Sequence, residues 1–107
     1  MITTVIVLVW LHCIADFFLQ SDQMAINKSK DNLWLTAHVL TYSIVFLIFG
    51  WKFALLNGAV HWVVDYMTSR LTSYLWSIGE RHWFFVTIGV DQAIHLTTLV
   101  LSIPLIA

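Results

Sequence analysis

The sequence is poor in charge, in cysteine and in proline. Of its 107 residues, 10% are charged and 60% are hydrophobic, with one cysteine and one proline. The single cysteine, Cys13, excludes an internal disulfide and cannot form a thiolate metal site alone, so it does not indicate a redox compartment. The five cations and six anions nearly balance, so no basic field favours nucleic acid as a partner. So little charge in so apolar a chain is typical of a membrane protein.

Four apolar stretches, separated by polar segments, follow one another along the chain. A helix needs about 20 mostly apolar residues to cross a bilayer, and each stretch approaches that length. Because the first stretch lacks a basic leader and a small-residue cleavage site, we expect a retained helix rather than a signal peptide. The sequence therefore predicts one all-α domain over 1–107, a polytopic membrane protein with a four-transmembrane-helix bundle. The predicted helices lie near 1–20, 33–51, 53–69 and 83–107.

The few cations predict how the bundle is oriented. Lys28 and Lys30 lie in the first loop and Arg70 and Arg81 in the third, whereas Lys52 stands alone in the second connection. Positive charge concentrates in cytoplasmic loops. We therefore expect loops one and three in the cytoplasm and both termini on the non-cytoplasmic side.

Three histidine–aspartate pairs interrupt the apolar stretches with the same spacing. They are HCIAD at 12–16, HWVVD at 61–65 and, in reverse order, DQAIH at 91–95. A spacing of four residues puts both side chains on one helical face, about one turn apart. Because the fourth helix runs opposite to the first and third, every aspartate lies on the cytoplasmic side of its histidine. The pairs therefore predict one shared polar site.

Carboxylates inside a bilayer are costly and need compensation. One aspartate near the centre of a spanning helix costs roughly 2.5 to 3.5 kcal/mol, and we expect no lysine or arginine at that depth. Protons, imidazolium partners or a bound cation remain. Imidazole and carboxylate together suit divalent metals, so we predict a metal site with zinc as the first choice and manganese or iron as alternatives. The predicted ligands are His12, Asp16, His61, Asp65, Asp91 and His95.

Other polar residues are candidates for supporting roles. His38, on the second helix, can face the same level and is a candidate catalytic proton shuttle. Gln20 and Gln92 lie beside the pairs and are candidates for hydrogen bonds to the ligands. The candidates for contact with a headgroup or substrate are the interfacial cations Lys28, Arg70 and Arg81.

The segments that carry these residues resemble a family of small bacterial and phage integral-membrane proteins catalogued as domain of unknown function 3307. The resemblance covers nearly the whole chain, through HCIADFFLQSDQMAINK, LWLTAHVLTY, HWVVDYMTSRL and IGVDQAIH. It implies the membrane architecture and a location in the bacterial inner (plasma) membrane, but no activity. It also implies a lysine three residues after Asp65, but this chain has Thr68 at that position. Arg70 can supply the positive charge instead. Its most specific matches are Asp16, Phe17, Leu19, Gln20, Asn27, Lys28, Asp91, Gln92 and His95.

A looser resemblance, limited to the short HxxxD elements, is to membrane-bound metal-dependent hydrolases. It implies hydrolysis of a phosphoester or acyl bond in a lipid or lipid-linked substrate, with a bound water as nucleophile. Two other functions stay open. One is transport of a divalent metal or of protons, which would require a homo-oligomer because four helices are few. The other is a non-enzymatic accessory role in which the polar network is structural. The expected partner in each case is the lipid bilayer.

Overall fold

The structure, a computed structural model, describes residues 1–106, and these form helices with no strand among them. The prediction of an all-α chain is therefore confirmed. Two short 3-10 turns, Leu47–Phe49 and Ile103–Leu105, follow the third and fifth helices. The helices are α1 at Ile2–Cys13, which continues as a π-helical segment at Ile14–Phe18, α2 at Asp22–Asn27, α3 at Asn32–Phe46, α4 at Trp51–Ser77 and α5 at Arg81–Leu101.

The first and third loops are more helical than the sequence predicted. Loop one contains α2, whose N-terminus is capped by Ser21 because its hydroxyl accepts a hydrogen bond from the Met24 amide. The third loop, predicted to begin after residue 69, stays helical as far as Ser77. It ends near Gly79, whose φ of 79° suits glycine. The predicted end of the third apolar helix was therefore wrong by about two turns, because no helix-breaking residue precedes Gly79.

Two helices among the described residues are long and apolar enough to cross a membrane, rather than the four predicted. They are α3 with its 3-10 turn, Asn32–Phe49, and α5. The helical segment Ile2–Phe18 is apolar but shorter than the 18 residues required. α4 is long enough, but Lys52, Asp65 and Arg70 lie within it and reduce its mean hydropathy.

The interior of the bundle is divided into an apolar part and a polar part. The apolar core lies towards the termini, because Leu8 precedes His12 by one turn and Leu99 follows His95 by one turn. Gly58 lets α3 and α4 approach closely, since a Cβ there would overlap the Ser43 side chain. The polar part lies next to this core, on the side of loops one and three. The buried apolar core residues are Leu8, Ala15, Tyr42, Phe46, Phe53, Ala54 and Leu99.

Candidate metal centre

The structure brings the three histidine–aspartate pairs together in the interior of the bundle, and His38 lies among them. Four helical segments contribute, because α1 with its π-helical extension, α3, α4 and α5 all pass this level. The seven side chains belong to residues that are at most 8% exposed. They are His12, Asp16, His38, His61, Asp65, Asp91 and His95.

Four donor atoms at the centre of this cluster, which we call the central quartet, lie close to one another. They are Asp16 Oδ1, His38 Nε2, His61 Nε2 and Asp65 Oδ2. The two imidazole nitrogens are 3.1 Å apart. His38 Nε2 lies 2.9 Å from the Asp16 oxygen and 3.3 Å from the Asp65 oxygen. His61 Nε2 lies 3.4 Å and 3.1 Å from the same two oxygens.

These separations are close to those of a tetrahedral metal site. Nitrogen and oxygen ligands lie about 2.0 to 2.2 Å from zinc, so two ligands of one tetrahedral ion are about 3.3 to 3.6 Å apart. The five nitrogen–nitrogen and nitrogen–oxygen separations in the quartet run from 2.9 to 3.4 Å, so two reach this range and three are shorter, and the donors would move slightly apart around an ion. The other nitrogen of each ring, Nδ1 of His38 and of His61, is buried without a hydrogen-bond partner in the described part of the chain. In both rings, therefore, Nε2 is the nitrogen with polar neighbours, and it points into the quartet.

Both quartet carboxylates extend to a second group of donors. Asp65 Oδ1 lies 3.0 Å from His95 Nε2, which is itself 3.2 Å from Asp91 Oδ2. Asp16, Asp91 and His95 form a second set of mutually close donors. The His61 and His95 rings stack almost parallel, with centroids 3.9 Å apart, which holds the two groups side by side. Carboxylates shared in this way are typical of sites that hold two metal ions.

His12 lies beside these two groups rather than within them. The Gln92 amide donates from Nε2 to Asp16 Oδ2 and to Asp91 Oδ2, each at 3.1 Å. Carboxylates only accept hydrogen bonds, so the Gln92 nitrogen must face them. The Gln92 oxygen, Oε1, therefore faces His12 Nε2 at 2.6 Å. His12 must then carry its proton on Nε2, and its Nδ1 accepts from the Tyr42 hydroxyl at 2.9 Å. The chain from Tyr42 through His12 and Gln92 thus orients two of the carboxylates.

A lysine also reaches the cluster, contrary to the expectation that no cation lies at this depth. Lys28 Nζ lies 3.5 Å from Asp65 Oδ2, and the side chain is 21% exposed. Lys28 follows α2, so the fold of loop one against the bundle carries it inward. Thr68, which the sequence did not single out as a site residue, donates to Asp91 Oδ1 at 2.6 Å. Lysine and threonine thus each hold one carboxylate from the side of loop one.

A cavity of about 200 Å³ opens beside the cluster on this same side. It reaches Asp16, Asp65 and Asp91, and Gln20 and Lys28 lie on its wall. Water and a small polar group can therefore approach the carboxylates from the side of loop one. The remaining lining residues are Phe17, Thr68, Ser69, Thr72, Ile88 and Gln92.

The two arginines predicted to contact a headgroup are stacked on aromatic rings at the surface. The Arg70 guanidinium lies 3.8 Å from the centroid of the Tyr66 ring and donates to Asn32 Oδ1 at 2.6 Å. The Arg81 guanidinium lies 3.5 Å from the centroid of the Trp76 ring. Both side chains are thus held near the start of α3 and the end of α4, beside loops one and three, rather than at the carboxylates.

Comparison with known proteins gives one family, which matches the chain over residues 4–106. That family is described as "Protein of unknown function (DUF3307)". No curated protein matches, and no solved structure matches. The comparisons thus supply a family without an activity, and the chemistry has to be inferred from the site.

Proposed function

Since the chain belongs to the DUF3307 family, whose description assigns no activity, we propose its function from the geometry: it is an integral-membrane, metal-dependent hydrolase. The observation that carries the proposal is the central quartet, in which two imidazoles and two carboxylates from three helical segments converge at separations close to, and partly shorter than, those of a tetrahedral metal site. The substrate that we propose is a lipid or lipid-linked ester.

The distribution of polarity supports a membrane location. Large apolar side chains are exposed on every long helix, for example Trp10, Ile44, Met67 and Val90, whereas the ionisable side chains of the cluster are buried. Lipid tails are a suitable environment for that apolar surface, and water is not. α1 with its π-helical extension buries His12 and Asp16 inside the bundle, and α4 buries His61 and Asp65, so each can also cross a bilayer with a largely apolar outer face. We therefore propose four crossings in a bacterial plasma membrane, with loops one and three in the cytoplasm.

The donor set supports zinc as the first choice of metal. Two imidazoles with two carboxylates suit a tetrahedral zinc ion, and the same donors also accept manganese or iron. His38 and His61 would be ligands, so His38 changes from the predicted proton shuttle to a member of the quartet. A second ion would take Asp91 and His95 and share Asp16 and Asp65. His12 would act through Gln92, as a positioning residue for the carboxylates.

The shape of the interior favours hydrolysis over transport. A bound divalent ion would supply Lewis acidity and an activated water. The chain holds the donors in place and admits a substrate through the cavity on the side of loop one. Towards the termini, Leu8, Phe46, Phe53 and Leu99 fill the bundle and are almost fully buried. An ion crossing the bundle would have to pass this apolar core, whereas a hydrolase needs access from one side.

The proposal is tested by reconstituting the purified protein in vesicles of a bacterial lipid extract. Release of inorganic phosphate and of fatty acid is followed with and without a chelator. We expect release that requires metal, that is lost in Asp65→Asn and that is retained in Asp22→Asn, a matched change at an exposed aspartate of α2. Equal release from the wild type and Asp65→Asn, or release insensitive to the chelator, would overturn the proposal.

A further inference from the structure

We infer that the cavity beside the three aspartates binds a phosphate group, with Lys28 and Ser69 as its anchors. This inference rests on the proposed metal-dependent function and deepens it, because it selects a phosphoester over an acyl ester. Three features support it: a lysine that is incompletely paired, buried polar groups without partners, and the charge that the site would carry once metal is bound.

Lys28 is placed to meet an anion in the cavity. Lys28 lines the cavity, and its ammonium lies 3.5 Å from Asp65 Oδ2, longer than the 2.7 to 2.9 Å, roughly, of a strong charge-assisted hydrogen bond. Asp65 Oδ2 belongs to the central quartet, so a metal ion there would take most of the charge that Lys28 now faces. An anion in the cavity would then become the counter-charge of the lysine.

Ser69 offers a hydroxyl that nothing in the described structure uses. The residue is 7% exposed and lines the cavity, and its Oγ has no hydrogen-bond partner within residues 1–106. Neighbouring hydroxyls on α4 are satisfied, since Thr68 donates to Asp91 and Thr72 donates to the Ser69 carbonyl. Buried hydroxyls without partners are rare because they cost free energy. A ligand oxygen in the cavity would satisfy the Ser69 hydroxyl.

Gln20 is a third group on the wall with unused hydrogen-bonding capacity. Its Oε1 is buried and unpaired among the described residues. The oxygen and nitrogen of an amide exchange places by rotation of the terminal bond, so Gln20 can present its amide hydrogens to an oxyanion.

The charge of the loaded site favours a doubly negative ligand. Three carboxylates and two divalent ions leave one net positive charge, and Lys28 adds a second. A phosphate monoester near neutral pH carries between one and two negative charges, with a second pKa of about 6. A neutral acyl ester would leave the Lys28 ammonium in the cavity without a counter-charge, which is unfavourable in a partly buried position.

The size and rim of the cavity fit a headgroup rather than a whole lipid. The volume of about 200 Å³ holds roughly seven water molecules, which is room for a phosphate but not for acyl chains. Phe17, 52% exposed at the end of the π-helical segment, and Ile88 on α5 are the apolar members of the wall. A hydrocarbon attached to the phosphate would meet its apolar contacts at these two side chains.

Binding to the metal-loaded protein in detergent tests the inference. Metal content is measured first, and isothermal titration then gives the dissociation constants of inorganic phosphate, of dihexanoyl phosphatidate as its non-hydrolysable phosphonate analogue, and of uncharged dihexanoylglycerol. We expect both phosphates to bind, and Lys28→Met to weaken them by about tenfold or more, the value of a charge-assisted hydrogen bond. Ser69→Ala should weaken them less. Lys30→Met, a matched change at an exposed lysine of the same loop, should leave binding unchanged.

Each outcome separates the possibilities. Tighter binding of the phosphatidate than of inorganic phosphate identifies a lipid headgroup, and equal binding identifies a free phosphate. Either result supports the inference if Lys28→Met weakens the binding and Lys28→Arg restores it. Unchanged affinity in Lys28→Met, or binding of dihexanoylglycerol in preference to both phosphates, overturns the inference while the metal site stands. Absence of metal in the wild type overturns the proposed function and the inference with it.

Discussion

His38 Nε2 and His61 Nε2 face each other at 3.1 Å in the interior of the bundle. The two rings come from α3 and α4, and both nitrogens also face Asp16 and Asp65. Two nitrogen lone pairs at this distance repel unless a proton or a metal ion lies between them. With two carboxylates completing the set, the site fits a divalent cation.

Removal of either central imidazole should weaken metal binding strongly. His38→Ala or His61→Ala leaves three of the four donors in the quartet. We expect a loss of metal affinity of about 100-fold or more, because removal of a group that only hydrogen-bonds a ligand already costs up to about 100-fold. Competition with a fluorescent zinc chelator measures the change. His82→Ala, at an exposed histidine near the start of α5, should retain wild-type affinity. Equal affinities in all four proteins would contradict the assignment of His38 and His61 as ligands.

Tyr42 should influence the metal site without touching it. Tyr42→Phe removes the hydroxyl that donates to His12 Nδ1, so the His12 ring and the Gln92 amide lose their fixed orientation. We expect metal affinity to fall by about tenfold, less than for His61→Ala, with a loss of stability near 1 kcal/mol. Chelator competition and thermal unfolding measure the two effects. Tyr74→Phe, at an exposed tyrosine, is the control; a drop in stability without any change in affinity would show that Tyr42 only packs.

The close approach of α3 and α4 should depend on glycine at position 58. A side chain there overlaps Ser43, whereas the same change at Gly89 on α5 meets no described atom within 4 Å. Both positions are helical, so the difference between Gly58→Val and Gly89→Val isolates packing from helix propensity. We expect Gly58→Val to be less stable than Gly89→Val by about 1 to 3 kcal/mol, measured by unfolding in detergent. Ser43→Gly in the Gly58→Val background should recover part of that loss. Equal stabilities of Gly58→Val and Gly89→Val would show that the contact between α3 and α4 is not tight.

The orientation of the protein can be measured with single cysteines in a Cys13→Ala background. Ser29→Cys lies in loop one, and Ile48→Cys lies in the exposed turn between α3 and α4. Because positive charge favours the cytoplasmic side, we expect an impermeant thiol reagent added outside intact cells to label Ile48→Cys and not Ser29→Cys. Labelling of both in lysed cells is the control, and the reverse pattern in intact cells would invert the proposed topology.

Helical periodicity carried most of what the sequence could predict. A spacing of four residues was enough to place the members of each pair on one face, and the structure indeed brings HCIAD, HWVVD and DQAIH together. His38 has no aspartate at that spacing, so its place in the quartet depends on how α3 packs. Tyr42, however, follows His38 by four residues on the same face and could have been found.

Tertiary folding determined what the sequence did not predict. Lys28 reaches Asp65 because α2 folds loop one against the bundle, and the distance along the chain gives no sign of this contact. The π-helical segment at Ile14–Phe18 changes the register of the helix at Asp16, and no residue in it marks the change beforehand. Two helices rather than four qualify as apolar spans because Ile2–Phe18 is short and because Lys52, Asp65 and Arg70 make α4 less apolar than a spanning helix usually is.

The central claim is that the buried cluster binds a divalent metal, and the metal content of the purified protein tests it most directly. The protein is purified in detergent without chelator and analysed by inductively coupled plasma mass spectrometry, together with Asp65→Asn and the matched control Asp22→Asn. The account predicts about one to two divalent ions per chain, zinc first, in the wild type and in Asp22→Asn, and a clear loss in Asp65→Asn. A folded wild type without stoichiometric metal, or Asp65→Asn with the full content, would contradict it.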